Sequence, residues 1–310
     1  MPSLRRVSLE PARRKVAEAL LETLPISSRL AASRVAGESA AEAVAALEAV
    51  KGSTVLAGVA PLFDAAQDEA AADQAVAELK ALLAQVGRHQ VEMRTEITLD
   101  LPAIGLGLRD GLGVAIRNGR DIARVARNAG ASVTIGAGAA SDVDSTLRVA
   151  RELRQDFPEI GVTLQARLHR TEHDCRAFAH EDSRVRITRG ALGAPRGEAF
   201  TDPLEVDKAY VRCLKILMAG QGYPMIATHD ARLVSIALSL AGRNARAQGT
   251  YEVQRDLGVR PAEARRLAAA GETVRIRIPY GPRWREDLAR QIGAHPGAVL
   301  SLVRARLGGG

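Results

Sequence analysis

From about residue 53 onward the chain alternates between two hydropathy rhythms, and this alternation constrains its fold more than any single residue. Short apolar or period-two runs occupy 53–59 (STVLAGV), 93–101 (MRTEITLDL), 131–136 (ASVTIG) and 161–168 (GVTLQARL). Four more occupy 183–189 (SRVRITR), 224–228 (PMIAT), 248–253 (QGTYEV) and 272–278 (ETVRIRI). Runs of this length beside glycine, proline or polar turns read as strands. Helical patterns separate them. In SDVDSTLRVARELRQDF, residues Val143, Leu147, Ala150 and Leu153 share one face behind Ser141 or Asp142 as N-cap. DPLEVDKAYVRCLKILMAG and DARLVSIALSLAG carry similar faces and close on glycine. Strict alternation with short links implies parallel strands joined by right-handed crossovers. Eight such units predict an α/β protein with a closed (β/α)8, TIM-type barrel over 53–310, rather than an open doubly wound sheet. Residues 1–52, with AEAVAALEAV at helical spacing, predict an N-terminal helical arm. In a barrel of this kind the chemistry collects at the C-terminal ends of the strands.

Composition excludes several classes of function. Only four Phe, four Tyr and one Trp are present, too few for a base-stacking platform or an aromatic cage. The net charge of +7, from 43 basic and 36 acidic residues, is scattered without a block of like charges. That pattern fits a solvated surface and gives no specific nucleic-acid partner. The two cysteines, Cys175 and Cys213, are too few for a disulfide framework and fit a reducing cytoplasm. No run approaches the 18 or so apolar residues a transmembrane helix needs. The first residues carry charges without a continuous apolar stretch, so no signal peptide is expected. The expected location is cytoplasmic, with peripheral membrane attachment left open.

GLGLRDGLG (105–113) lacks the G-x-G-x-x-G spacing that opens a dinucleotide-binding helix and reads as a loop after the second strand. HRTEHDC (169–175) sets His169 and His173 four apart, but no helix is read through both and no distant partner is evident, so no metal is expected. Nothing near Cys175 lowers a thiol pKa. The later strand ends say more. Strand four ends in Gln165-Ala166-Arg167, strand five in Arg186-Ile187-Thr188-Arg189-Gly190-Ala191, strand six in Ala227-Thr228-His229-Asp230 and strand seven in Glu252-Val253-Gln254. Together they gather guanidinium, amide, hydroxyl and imidazole groups at one barrel mouth. Guanidinium binds phosphate oxygens bidentately and keeps its charge, and Gly190 would let backbone approach closely, so a pyrophosphate-bearing cofactor fits.

At these residues the chain resembles the proline dehydrogenase family, flavoenzymes whose distorted (β/α)8 barrel holds FAD. The similarity runs from Val35-Ala36-Gly37-Glu38 through Leu164-Gln165-Ala166 and Val185-Arg186-Ile187-Thr188-Arg189-Gly190-Ala191. It continues through Ala227-Thr228-His229-Asp230, Glu252-Val253-Gln254-Arg255 and Ile278-Pro279-Tyr280-Gly281. The resemblance implies FAD as cofactor, with Gln165 near the flavin ring and Arg186 close to N5. Arg189 stands in place of a family lysine by the phosphates, beside Gly190 and Ala191. Thr228, His229, Glu252 and Gln254 would line the rest of the dinucleotide.

The substrate half departs from that pattern. Asp100 replaces the family's strand-two lysine, and Gly136 and Gly138 replace its strand-three acids. Three tyrosines become Leu192, Arg277 and Asp287, Asp256 replaces a leucine, and Gln291 replaces the second arginine of a pair that begins with Arg290. The family's two arginines and a lysine clamp a carboxylate. Here a carboxylate near Asp100 would meet repulsion of about 4 kcal/mol at ~4 Å in an effective dielectric near 20. Arg277 either restores a cation or pairs with Asp100 or Asp256. The expected activity is therefore FAD-dependent hydride transfer from a carbon beside nitrogen, in an amine or a modified, proline-like amino acid, to flavin N5. Arg186, Arg290 and Asp100 are the expected catalytic residues, and Asp100, Asp256, Arg277, Arg290 and Gln291 line the substrate. The alternatives are a non-catalytic or flavin-free relative acting as a binding or partner subunit, and an ordinary L-proline dehydrogenase. The electron acceptor stays open, with quinone among the candidates.

Overall fold

Eight parallel strands close into a barrel in sequence order: β1 (Leu56–Pro61), β2 (Glu96–Leu99), β3 (Ser132–Ile135), β4 (Gly161–Gln165), β5 (Arg184–Thr188), β6 (Tyr223–Ala227), β7 (Glu252–Asp256) and β8 (Val274–Tyr280). The closing seam pairs Leu56 to Pro61 with Arg275 to Tyr280. The structure is a computed structural model and describes residues 10–22, 28–50, 55–88, 95–190, 194 and 197–294. Among the described residues, three helices precede the barrel, α1 (Glu10–Leu21), α2 (Arg29–Ala32) and α3 (Ala40–Val50). Around it lie α4 (Glu69–Arg88), α5 (Gly111–Asn128), α6 (Val143–Arg154), α7 (Thr171–Phe178), α8 (Pro203–Ala219), α9 (Ala231–Arg243), α10 (Pro261–Ala269) and α11 (Trp284–Ala294).

All eight expected strands form, with shifted ends. The seventh starts at Glu252 rather than 248, because Ala245 (φ 51°) and Gly249 (φ 85°) turn the chain just before it. Asp202 caps α8 by accepting from the Leu204 amide at 2.7 Å. Asp142 precedes α6 without a side-chain cap, its carboxylate instead accepting from the Ser141 hydroxyl at 2.9 Å. Gly242 does not stop α9, which runs on to Arg243.

The period-two pattern of the strands sorts side chains by face. Ile97, Leu99, Val133, Ile135, Val162, Leu164, Val185 and Ile187 are buried under the helices with Leu79, Leu83, Ile122, Leu153 and Leu214. The alternate residues point inward and are polar: Glu96, Thr98, Thr134, Thr163, Arg184, Arg186, Glu252, Gln254, Arg275 and Arg277, joined by the hydrogen bonds described below. Interiors of such barrels are commonly filled by branched aliphatics. This one is a charged network.

A second apolar cluster anchors the N-terminal arm. Ala17 and Leu21 of α1 meet Trp284, Leu288, Ala289 and Ile292 of α11. The Trp284 indole donates to Glu38 Oε1 at 2.9 Å, while the Ala36 and Gly281 amides bond the carbonyls of Pro279 and Gly37. The segment 35–38 thereby ties the end of β8 to the start of α11.

Candidate active site at the C-terminal mouth of the barrel

Arg186, from the middle of β5, stands below the mouth and is nearly buried. Its Nε donates to Gln254 Oε1 at 2.7 Å, its Nη1 to Thr98 Oγ1 at 3.2 Å, and its Nη2 pairs with Glu96 Oε1. Glu96 also accepts from Thr134 Oγ1 at 2.7 Å and from Arg184 at 3.3 Å. Burial alone would raise the Glu96 carboxyl, yet Arg186, Arg275 and Arg184 hold it at about 2. The Gln254 amide nitrogen passes the network on to Glu252 at 2.6 Å. Glu252 is in turn gripped by Arg275 at 2.8 and 3.0 Å and by the Tyr223 hydroxyl at 3.1 Å. A guanidinium only donates and an ionised carboxylate only accepts, so each amide orientation follows from its neighbours. The network fixes Arg186 in one pose. Glu252 is fully enclosed among Gln254, Arg275 and Tyr223, behind the mouth.

The other expected cofactor residues lie at the strand ends. Gln165 closes β4 and donates to the Gly138 carbonyl at 3.0 Å. Gly190 follows β5 at φ 93°, and a Cβ there would sit 2.9 Å from Gln165 Cβ, so only glycine leaves this backbone bare beside Gln165. Arg189 is paired with Asp207 at 3.1 Å and is more than one third exposed. Thr228 Oγ1 accepts from the Asp230 amide at 3.2 Å where α9 begins. His229 Nε2 lies 3.1 Å from Asp256 Oδ2, one of the expected substrate residues. Ala191 lies outside the described residues, as does Leu192. A bare glycine backbone between an amide and a partly exposed guanidinium, with a helix N-terminus opposite, fits a pyrophosphate-bearing dinucleotide.

On the substrate side, Arg277 of β8 settles between two acids. It donates to Asp256 Oδ1 at 3.2 Å and to both Asp287 oxygens at 3.2 Å. Arg290 also pairs with Asp287, and the Gln291 amide nitrogen donates to Asp287 Oδ2 at 2.8 Å. Burial opposes the charge on Asp256 and Asp287, but the guanidiniums around them hold both carboxyls well below the usual range. Asp100, just past β2, behaves oppositely. Desolvation raises its carboxyl, with the Arg283 charge opposing. No ion pair within 4.0 Å involves Asp100 among the described residues. Asp100 and Asp256 were both open partners for Arg277; it takes Asp256 and leaves Asp100 apart.

Two further residues bond the expected site residues: Glu96, which the sequence did not single out, and Asp287, which stands in place of a family tyrosine. Glu96 holds Arg186, and its signal was its place two and four residues before Thr98 and Asp100 on one strand face. Asp287 organises Arg277, Arg290 and Gln291, and its signal was the helical spacing of three and four to the last two. The histidine cluster has other partners: His169 Nδ1 contacts the Gly197 carbonyl at 2.9 Å, and Asp174 is held by Arg170 at 2.8 Å.

The proline dehydrogenase family model matches residues 43–285. Proline dehydrogenase 1 of Bacillus subtilis (strain 168) is 29% identical over 281 residues, covering 90% of this chain and 92% of that protein. Proline dehydrogenase of Deinococcus radiodurans is 25% identical over 278 residues, 89% of each. Among solved structures, proline utilization A from Bdellovibrio bacteriovorus, inactivated by N-propargylglycine, superposes with a TM-score of 0.77 at 17% identity. That match covers 91% of this chain and 36% of the other. Proline utilization A of Bradyrhizobium japonicum gives 0.72 at 21% identity, over 90% and 32%. The chain thus spans about a third of the length of these structural neighbours. The family match begins within α3, takes in every strand of the barrel and ends at the start of α11: the chain belongs to the proline dehydrogenase family.

Proposed function

We propose that the protein oxidises the bond between nitrogen and its neighbouring carbon in an amine or a modified, proline-like amino acid, with FAD, the cofactor of its family, as hydride acceptor. The observation that carries this reading is the family match across the whole barrel, 43–285. FAD, when bound, supplies the acceptor for the hydride. On the substrate, the C–H bond beside nitrogen breaks, a C=N bond forms, and the nitrogen proton leaves to solvent.

The chain's own groups do the rest. Arg189, the bare Gly190 backbone, Thr228 and His229 would hold the phosphates and ribose. Gln165 and Arg186 would lie nearest the ring. Arg186 needs no reorganisation as charge develops on the cofactor, since Gln254, Glu96 and Thr98 already hold three of its nitrogens. Arg290, Arg277, Asp256, Gln291 and Asp100 orient the substrate. Electrons then pass to a second acceptor, for which a quinone is the first to test. No helix among the described residues is long and apolar enough to cross a membrane.

The test is spectroscopic. The isolated protein, or the protein reconstituted with FAD, should show flavin absorption bands that bleach anaerobically with a cyclic secondary amine. Protein that retains no flavin after reconstitution refutes the reading.

A further inference from the structure

Asp287 occupies the cations of the substrate side. Its two oxygens take Arg277 and Arg290, and Arg277 spends its remaining reach on Asp256. Arg277 and Arg290 therefore both already face carboxylates. A ligand carboxylate that met either one would stand beside Asp256 or Asp287. Asp100 adds a third acidic group, and desolvation already opposes its charge.

Gln291 carries an independent signal. The Asp287 carboxylate is held ionised by its arginines and can only accept, so the Gln291 nitrogen must face it. The carbonyl oxygen is thereby turned away from Asp287. That Oε1 has no hydrogen-bond partner among the described residues, although the side chain is only 6% exposed. A buried acceptor without a donor is costly, and the group that satisfies it is an N–H.

We propose, resting on the amine-oxidation reading above, that Asp287 sets the substrate class: the site takes an amine without a free carboxylate and prefers one bearing a neutral hydrogen-bond donor, such as a carboxamide. Asp287 acts as a positioning residue. It neutralises Arg277 and Arg290 and holds the Gln291 nitrogen, leaving the Gln291 carbonyl oxygen turned away from its own carboxylate and without a donor among the described residues. A site built to receive a donor discriminates against an analogue that lacks it, and here the analogue also brings a repelled charge.

The test uses the FAD-loaded protein and three ligands, prolinamide, pyrrolidine and L-proline. Each is titrated into the oxidised protein while flavin absorbance is followed, and then used to reduce the flavin anaerobically. Prolinamide should bind and reduce at least about tenfold better than L-proline, with pyrrolidine between them. Asp287→Asn releases both arginines and should raise L-proline affinity about tenfold or more, collapsing the ratio. Gln291→Leu removes only the acceptor and should lower prolinamide affinity towards that of pyrrolidine without improving L-proline. A purely structural role for Asp287 would weaken all three ligands alike. Wild-type protein that takes L-proline as well as prolinamide overturns the proposal. So does an Asp287→Asn protein that keeps its FAD spectrum with an unchanged ratio. Flavin-bearing protein that none of the three perturbs overturns it too. Protein that binds no flavin at all fails one step earlier, on the cofactor reading itself.

Discussion

At the scale of single residues, the site depends on buried charges held by named partners. Glu96 is the clearest case. Its carboxylate is buried between Arg186 and Arg184, and removing one member of a buried ion pair strands the other. Glu96→Gln should therefore destabilise the fold by about 3–5 kcal/mol at neutral pH, read from urea unfolding. The folded Glu96 value, about 2, lies below its ordinary 4.5, so its stabilisation is complete above 4.5 and lost as pH falls towards 2. The gap between wild type and variant should shrink over that same window; a constant gap would contradict the ion-pair account. Gly190 makes a steric counterpart. Gly190→Ala must place a Cβ 2.9 Å from Gln165 Cβ at φ 93°, costing about 1–3 kcal/mol. The variant should also lose FAD retention on gel filtration, since the bare backbone is gone. Arg186 and Gly190 are read in the sequence from residue type at a strand end, and Arg290 from the family resemblance. Glu96 was harder to read, because its role depends on arginines that the fold brings to it from 88 and 90 residues away.

At the scale of elements, the strands were legible from their alternation, and the helices from their apolar faces. Their ends were set by turn geometry that hydropathy does not encode. The inward face of the strands was visible as residues but not as a network, since Arg186 meets Glu96 and Gln254 only after the barrel closes. The helix that carries Arg290 and Gln291, two of the expected substrate residues, is α11. It carries Asp287, Arg290 and Gln291 on the side facing Arg277, and Leu288, Ala289 and Ile292 on the side facing α1. The N-terminal arm thus backs α11. Leu288 is almost fully buried in that contact, and Leu288→Ala should cost about 2–5 kcal/mol by cavity formation. Because α11 then sits less firmly, ligand affinity in the flavin titration should fall while FAD stays bound. Equal loss of FAD would show instead that α11 supports the whole mouth.

At the scale of the whole molecule, a charged barrel interior makes stability a function of pH in a direction that can be worked out group by group. Glu96, Asp256 and Asp287 have folded values below their ordinary ones, so each contributes stability that is present near neutrality and lost on acidification. Asp100 runs the other way. Its folded value is raised by desolvation, so the folded protein holds that proton more tightly than the unfolded chain does. Stability contributed by protonated Asp100 is present below the unfolded value and is lost as pH rises through the folded one. Asn is close in shape to the protonated carboxyl and carries no charge. Asp100→Asn should therefore raise the urea midpoint at about pH 7 and leave it nearly unchanged near pH 3, where both states of Asp100 are largely protonated. A protein that keeps a costly acid at its mouth does so for a purpose other than stability, as strained or desolvated groups at functional sites commonly do. The same variant should then bind cationic amines more weakly in the flavin titration. If stability rises at neutral pH and amine affinity is untouched, Asp100 faces no ligand cation, and the acidic side of the mouth is Asp256 and Asp287 alone.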